Sequence, residues 1–345
     1  MTTGVGLVGF GLAGRVLHAP LIAASGLEIV GVVTRQVEAV KSSFPGAEVV
    51  PDLDQLLRMR RVGLVVIATP NRLHKAQAIA ALRAGRHVVI DKPMTLSLAD
   101  AQEVIAAAAG SRGKLAVFQN RRWDSDFLTL RRVIAAGTLG EVVSFAASWD
   151  RFRPEVVDRW REHPQDGGGI LQDLGPHLVD QALCLFGLPE WLQADVFIQR
   201  AGAVVDDAFE IRMGIGRLRI TLRSRSVVPD NSLRYRLHGT LGSLSKVGMD
   251  VQEAQLRTGL SPLAPEFGVE PRTQWAQLLT AATGETQEVP AERGDWLSFY
   301  RSLRASIEQD TPLSVPDGEA GRQVVRVIEA ARRSSVEGHR IYLTE

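Results

Sequence analysis

Residues 167–181, GGGILQDLGPHLVDQ, set Asp173, His177 and Asp180 at spacings of four and three behind three glycines. On a helix such spacings bring side chains to one face, and core helices do not usually carry an Asp/His/Asp stripe. An imidazole, with an ordinary pKa of about 6.5, takes or gives a proton near neutral pH. The same three residues have the chemistry to ligate Zn²⁺ or Mn²⁺. With no cysteine cluster and no evident fourth ligand, no metal is expected. From the residues alone, a hydrogen-bonded polar cluster at a domain junction is an equal reading of the stripe.

A second group lies near the start, where GFGLAG places Gly9, Gly11 and Gly14 in the G-x-G-x-x-G spacing directly after an apolar run. Gly9 permits a tight turn, Gly11 lets backbone reach a pyrophosphate, and Gly14 lets helix and strand pack closely. Phe10, Leu12 and Ala13 complete this cofactor loop. Free N–H groups at the following helix start favour the diphosphate. The next apolar run ends VVTRQ, so Thr34 and Arg35 stand where an NAD site carries Asp or Glu. A hydroxyl and a guanidinium suit a 2′-phosphate, so NADP is expected, with NAD the alternative. Two further loops, ATPNRLH (68–74) and DKPM (91–94), follow apolar runs at the ends where such sheets bind ligands.

These residues need elements to hold them. The runs 5–9, 28–34, 62–69, 87–90 and 115–119 are rich in Val or Ile and short enough for strands buried on both faces. Helical patterns alternate with them. The pattern predicts an α/β chain: an N-terminal doubly wound parallel (Rossmann) sheet over residues 1–120. From about residue 141 strand-like segments follow one another (141–149, 191–200, 207–216, 217–227 and 233–239), several alternating apolar and polar residues. Helical patterns return over 295–309 and 319–335. An α+β domain with an open, mostly antiparallel sheet is expected over 121–345.

The chain has 40 basic and 39 acidic residues, a formal charge of +1, which gives no electrostatic reason to expect nucleic acid or an anionic membrane as partner. No apolar stretch approaches the roughly 20 residues that span a bilayer. A cytoplasmic, reduced protein is expected. The single cysteine, Cys184 in QALCLFG, reads as a small buried hydrophobe.

GFGLAG, TPNRLH, DKP and GGGILQDLGPHLVD, in this order, resemble the Gfo/Idh/MocA oxidoreductase family over essentially the whole chain. With GFGLAGRVLHAPLI, NRRWDSDF (120–127) and RFRPEVVDRWRE (151–162), they are similar to its NADP-dependent scyllo-inositol dehydrogenase branch. The resemblance implies hydride transfer between nicotinamide and a carbinol carbon of a cyclitol, sugar or polyol. It matches Asp173 and His177 to the family's Asp and His, and Lys92 to its Glu-Lys-Pro lysine, as the catalytic set. His177 would be the general base in oxidation, Asp173 would orient it or a substrate hydroxyl, and Lys92 would stabilise developing alkoxide.

Thr69, Pro70, Asn71, His74, Asp91, Lys92 and Asn120 are expected at the cofactor. Arg122 and Trp160 are expected at the substrate with Lys92, Asp173 and His177. Asp91 is one methylene shorter than the family's usual Glu. Asp180 is open between facing the site and supporting structure. Asp150, Arg151, Asn231 and Tyr235 are candidates for specificity. A homodimer or homotetramer through the C-terminal sheet is implied. Two alternatives stand beside the dehydrogenase: a catalytically silent dinucleotide sensor, and a nicotinamide-dependent glycosidase.

Overall fold

A computed structural model describes residues 3–230 and 232–343. Contacts divide them into two units. The first joins residues 1–120 with 252–267 and 295–325, and the second joins 121–251 with 268–294 and 326–345.

The first unit is built on six parallel strands: β1 (Gly4–Val8), β2 (Glu28–Val33), β3 (Glu48–Val50), β4 (Val62–Ile67), β5 (His87–Asp91) and β6 (Leu115–Phe118). Their order is β3-β2-β1-β4-β5-β6, the doubly wound order with its switch point between β1 and β4. Val5, Leu7, Val65, Ile67, Val88 and Ile90 are fully or almost fully buried, as expected of strands covered on both faces. β3, only three residues long, falls below what the apolar pattern reveals. Between the strands, Ser97 caps the helix Leu98–Ala109 by accepting the Asp100 N–H at 3.1 Å.

A single boundary at residue 120 did not anticipate that two later segments return to this unit. β6 is the edge strand, and its Val117 N–H donates to Pro316 O at 2.8 Å. Phe299 packs edge-on to Phe118, with ring centroids 4.9 Å apart. The returning chain thus satisfies and covers an edge that would otherwise stay open.

The second unit carries nine strands: β7 (Val142–Ser148), β8 (Trp191–Phe197), β9 (Ala208–Ile215), β10 (Leu218–Arg225), β11 (Leu233–Gly239), β12 (Gly242–Val247), β13 (Ala276–Thr280), β14 (Thr286–Val289) and β15 (Ile341–Tyr342). The order is β14-β13-β12-β11-β7-β10-β9-β8-β15. Every pairing is antiparallel except β7 with β10. In β10, Leu218, Ile220 and Leu222 point inward while Arg219, Thr221 and Arg223 alternate outward, a sheet with one wetter face. Among the described residues no helix is long and apolar enough to cross a membrane.

Candidate functional site

In the first unit the expected cofactor residues gather at the C-terminal ends of β1, β2, β4 and β5. Gly9 has φ +96°, and a Cβ there would meet Ala68 O at 2.6 Å. A Cβ on Gly14 would meet Gly9 O at 2.1 Å, so the first helical turn lies directly against the loop. A Cβ on Gly11 would meet nothing within 4 Å. Two glycines are therefore explained by protein packing, and the third faces open space where an approaching pyrophosphate would need it bare. The helical turn that follows, Ala13–His18, is wound as a wide π-helix before the α-helix Ala19–Ala24.

The Gly9 N–H donates to Val33 O at 3.0 Å, and the Gln36 amide donates to Phe10 O at 3.2 Å. These bonds hold the glycine loop beside Thr34 and Arg35. Arg35 is exposed, and Thr34 Oγ1 accepts the Gln36 N–H at 3.1 Å. Phe10, expected at the cofactor, is buried with its side chain in the core, so only its backbone borders the loop. Leu12 is exposed on the loop's outer side.

His74 differs from expectation in a similar way. It is fully buried, with Nε2 2.9 Å from Thr69 O and Nδ1 2.8 Å from Pro93 O. Burial holds its pKa below the ordinary value, against the pull of those carbonyls and Asp91. Both nitrogens face backbone carbonyls, and the single N–H of the neutral ring donates to one of them, so His74 packs between the Thr69 loop and the Lys92 loop rather than reaching a ligand. Thr69 Oγ1 donates to Gln77 Oε1 at 2.7 Å, and Asn71 is buried next to it.

Asp91 closes β5 and accepts the Lys92 N–H at 2.8 Å. The Lys92–Pro93 peptide is cis. Behind Asp91 stands a residue the sequence reading did not single out, His18. Its Nε2 lies 3.8 Å from Asp91 Oδ2 and its Nδ1 2.6 Å from the Tyr300 hydroxyl. With a carboxylate at Nε2, the favoured tautomer carries its proton there and accepts the Tyr300 proton at Nδ1. Burial alone would raise the Asp91 pKa; His18, then Lys92 and His74, outweigh it, and the net direction is down. Asn120, buried, follows β6.

In the second unit the Asp/His segment is not one helix. Ile170–Asp173 forms a short turn, Leu174 breaks it, and Gly175–Phe186 begins anew. Pro176 is the reason: it has no N–H to continue the ladder, and its ring clashes with the preceding turn. Asp173 and His177 therefore sit on either side of a helix break.

His177 is buried and packs against Trp149, ring centroids 5.4 Å apart and tilted by 30°. Three guanidiniums also lie near that indole, Arg121 at 4.6 Å, Arg234 at 5.3 Å and Arg151 at 5.6 Å. Asp173 lies between Arg151 Nη1 at 3.5 Å and Arg161 Nε at 3.2 Å. Trp160 stacks under the Arg161 guanidinium at 4.5 Å. Trp149 is the residue here with least local signal, because its partners His177 and Arg234 lie far off in sequence.

Asp180 is resolved by its partner. Its two oxygens accept a forked pair from Arg122 at 2.7 and 2.8 Å, and it is almost fully buried. It positions Arg122. Burial raises the Asp180 pKa, with Arg122 opposing. Next to it, Gln181 accepts from Arg234 Nη2 and the Tyr235 hydroxyl, both at 2.8 Å. Tyr235 is thus a core residue and not a specificity side chain, because the inward register of β11 buries it. Asp150 is buried 3.6 Å from Arg223; Asn231 lies outside the described residues. Cys184 is exposed, not buried. QALCLFG is apolar all round its helix turn, so local hydropathy does not say which side faces in.

Comparison with known proteins agrees with this architecture. Residues 3–119 match the profile of the NAD-binding Rossmann fold of the Gfo/Idh/MocA oxidoreductase family, and residues 131–343 match its C-terminal alpha/beta domain. The chain is 39% identical to scyllo-inositol 2-dehydrogenase (NADP(+)) IolW of Bacillus subtilis, covering 99% of this chain and 96% of that protein. It is 40% identical to the uncharacterized oxidoreductase YdgJ of Escherichia coli, covering 96% of each. The structure of the Bacillus subtilis oxidoreductase YvaA superposes with a TM-score of 0.96 at 38% identity, covering 99% of each chain.

Proposed function

The chain belongs to the Gfo/Idh/MocA oxidoreductase family, and from that premise we propose that it is an NADP(H)-dependent dehydrogenase or reductase of a cyclitol, sugar or polyol. The observation that carries the reading is the end of β2, where Thr34 and exposed Arg35 replace the usual carboxylate beside the glycine loop. The NADP(+) in the name of the Bacillus subtilis relative supports the same choice, and its scyllo-inositol supports a cyclitol-like substrate.

The bound nicotinamide supplies the hydride acceptor or donor. The glycine loop and its N–H groups hold the diphosphate, and Thr34 with Arg35 takes the 2′-phosphate. His177, its ring fixed against Trp149, removes the hydroxyl proton in oxidation and returns it in reduction. Asp173 orients a substrate hydroxyl or the imidazole. Lys92, set by the Asp91 carboxylate, stabilises the developing alkoxide. Arg122, forked on Asp180, contributes to substrate binding. Association into a dimer or tetramer through the nine-stranded sheet belongs to the same reading. The test is absorbance at the reduced-nicotinamide band with NADP and NAD separately, across inositols, aldoses and deoxy sugars. Turnover with NADP and one subset is expected; cofactor binding with no turnover would favour the sensor.

A further inference from the structure

The segment from Arg151 to Gly169 has no long helix or strand, yet it brings Arg151, Arg153, Arg159 and Arg161 to one pocket, with Arg200 in its wall. Carboxylates line the pocket too, so its character depends on which charges are already committed. Arg200 is buried and donates to Asp207 Oδ2 and Glu162 Oε2, both at 2.8 Å. Asp207 also accepts the backbone N–H groups of Gln199 and Arg200. Asp206 accepts the Leu171 N–H at 2.7 Å and pairs with Arg332 at 3.1 Å. Glu162, buried, takes Arg159 at 2.9 Å. The floor of the pocket is therefore balanced, three carboxylates against three guanidiniums.

The mouth is not. Asp173 there faces Arg151 at 3.5 Å and Arg161 at 3.2 Å, longer than the roughly 2.7–2.9 Å of a strong charge-assisted bond. Among the described residues Arg161 donates only through Nε, and its stacking on Trp160 fixes the guanidinium plane. Arg153 is exposed, and its side chain makes no ion pair or hydrogen bond among the described residues. Arg153 and Arg161 thus keep N–H groups that no carboxylate among the described residues takes, beside the Asp173 that leads into His177. A planar guanidinium with uncommitted N–H groups matches a carboxylate or phosphate.

We propose that this pocket takes an anionic substituent of the substrate, a carboxylate or a phosphate group. The carbinol compound that the enzyme oxidises or forms is then an acidic sugar or cyclitol derivative. The inference rests on the reading of Asp173 and His177 as the reacting site. It narrows the substrate class by charge.

The experiment is calorimetric titration of the NADP-loaded protein with gluconate, glucose 6-phosphate and neutral glucitol, in wild type, Arg153→Gln and Arg161→Gln, alongside steady-state turnover of the same compounds. Binding of gluconate identifies a carboxylate site and binding of glucose 6-phosphate a phosphate site. In either case the preference for the anion over glucitol should fall about ten- to hundredfold in each variant. It should also weaken with salt. If neither anion binds better than glucitol, or the preference is unchanged in both variants, the inference is overturned; turnover of neutral polyols would then leave the proposed function standing. Anion binding that depends on Arg153 and Arg161, with no member of the panel turned over, upholds the pocket and counts against the dehydrogenase reading instead.

Discussion

His18 Nδ1 sits 2.6 Å from the hydroxyl of Tyr300, which lies 282 positions later in the chain, and both side chains are fully buried. The other ring nitrogen faces Asp91, whose carboxylate holds the backbone of Lys92. Removing the hydroxyl in Tyr300→Phe leaves Nδ1 without its donor. The protein should lose about 1–2 kcal/mol, read by denaturant unfolding. If the chain of contacts sets Lys92, kcat/KM should fall in the same variant while NADP affinity holds. An unchanged kcat/KM would make the contact purely structural.

The glycine loop yields a paired prediction. Gly14→Ala places a Cβ 2.1 Å from Gly9 O, with backbone and no flexible side chain in the way. It should destabilise the cofactor-free protein by about 1–3 kcal/mol. Gly11→Ala meets nothing, so its unfolding midpoint should stay within about 0.5 kcal/mol of wild type. Its NADP affinity should nevertheless drop. Equal loss of stability in both variants would contradict the assignment of Gly11 to the ligand.

At the end of β2, Arg35→Asp should move the ratio of kcat/KM from NADP toward NAD by about tenfold or more, as a carboxylate there repels a 2′-phosphate and accepts a ribose hydroxyl. A preference ratio that does not change would remove the basis for choosing NADP.

His177→Ala should bind NADP normally and turn over about 10²–10⁴-fold more slowly, the usual contribution of a positioned proton-transfer group. Retained turnover would mean that another group takes the proton.

Asp180 sets a pH dependence. Its folded pKa is raised by burial, with Arg122 opposing. A raised pKa means stability that is complete below the unfolded value of about 3.9 and is lost as pH rises through the folded value. Arg122→Met removes the opposing charge, so the deficit relative to wild type should be larger near pH 7.5 than near pH 4.5, by about 1 kcal/mol or more. Denaturant midpoints at the two values measure it. A deficit independent of pH would mean that removing Arg122 does not change the folded-state protonation of Asp180 between the two values.

The sequence reading succeeded where the signal is local. Alternating Val/Ile runs and helical stretches are enough to read the parallel sheet, and GFGLAG is legible as a turn because it directly follows the first apolar run and its last glycine packs on its first within one β–α unit. It failed where a single residue decides against its neighbours. Pro176 splits a stretch whose spacing otherwise suits one helix, and the apolar run around Cys184 hides the side that faces outward. It was silent where contacts are long-range. Nothing near His18 announces Tyr300, and nothing near Asp173 says that Arg151 and Arg161 fold back onto it. The strands from β12 onward, interrupted by the segment 252–267, carry too little alternation to be separated from loop.

The bond from Val117 N–H to Pro316 O has a consequence for how the protein is made. A chain emerging from the ribosome completes all six strands of its first sheet by residue 118, but the edge of that sheet stays uncovered until residues 295–325 have been synthesised. Over the same interval β7 waits for β10 and β11, more than 70 residues downstream. Neither half can finish before residues 295–345 have been synthesised, so nascent chains arrested ahead of that point should be the aggregation-prone and chaperone-dependent species.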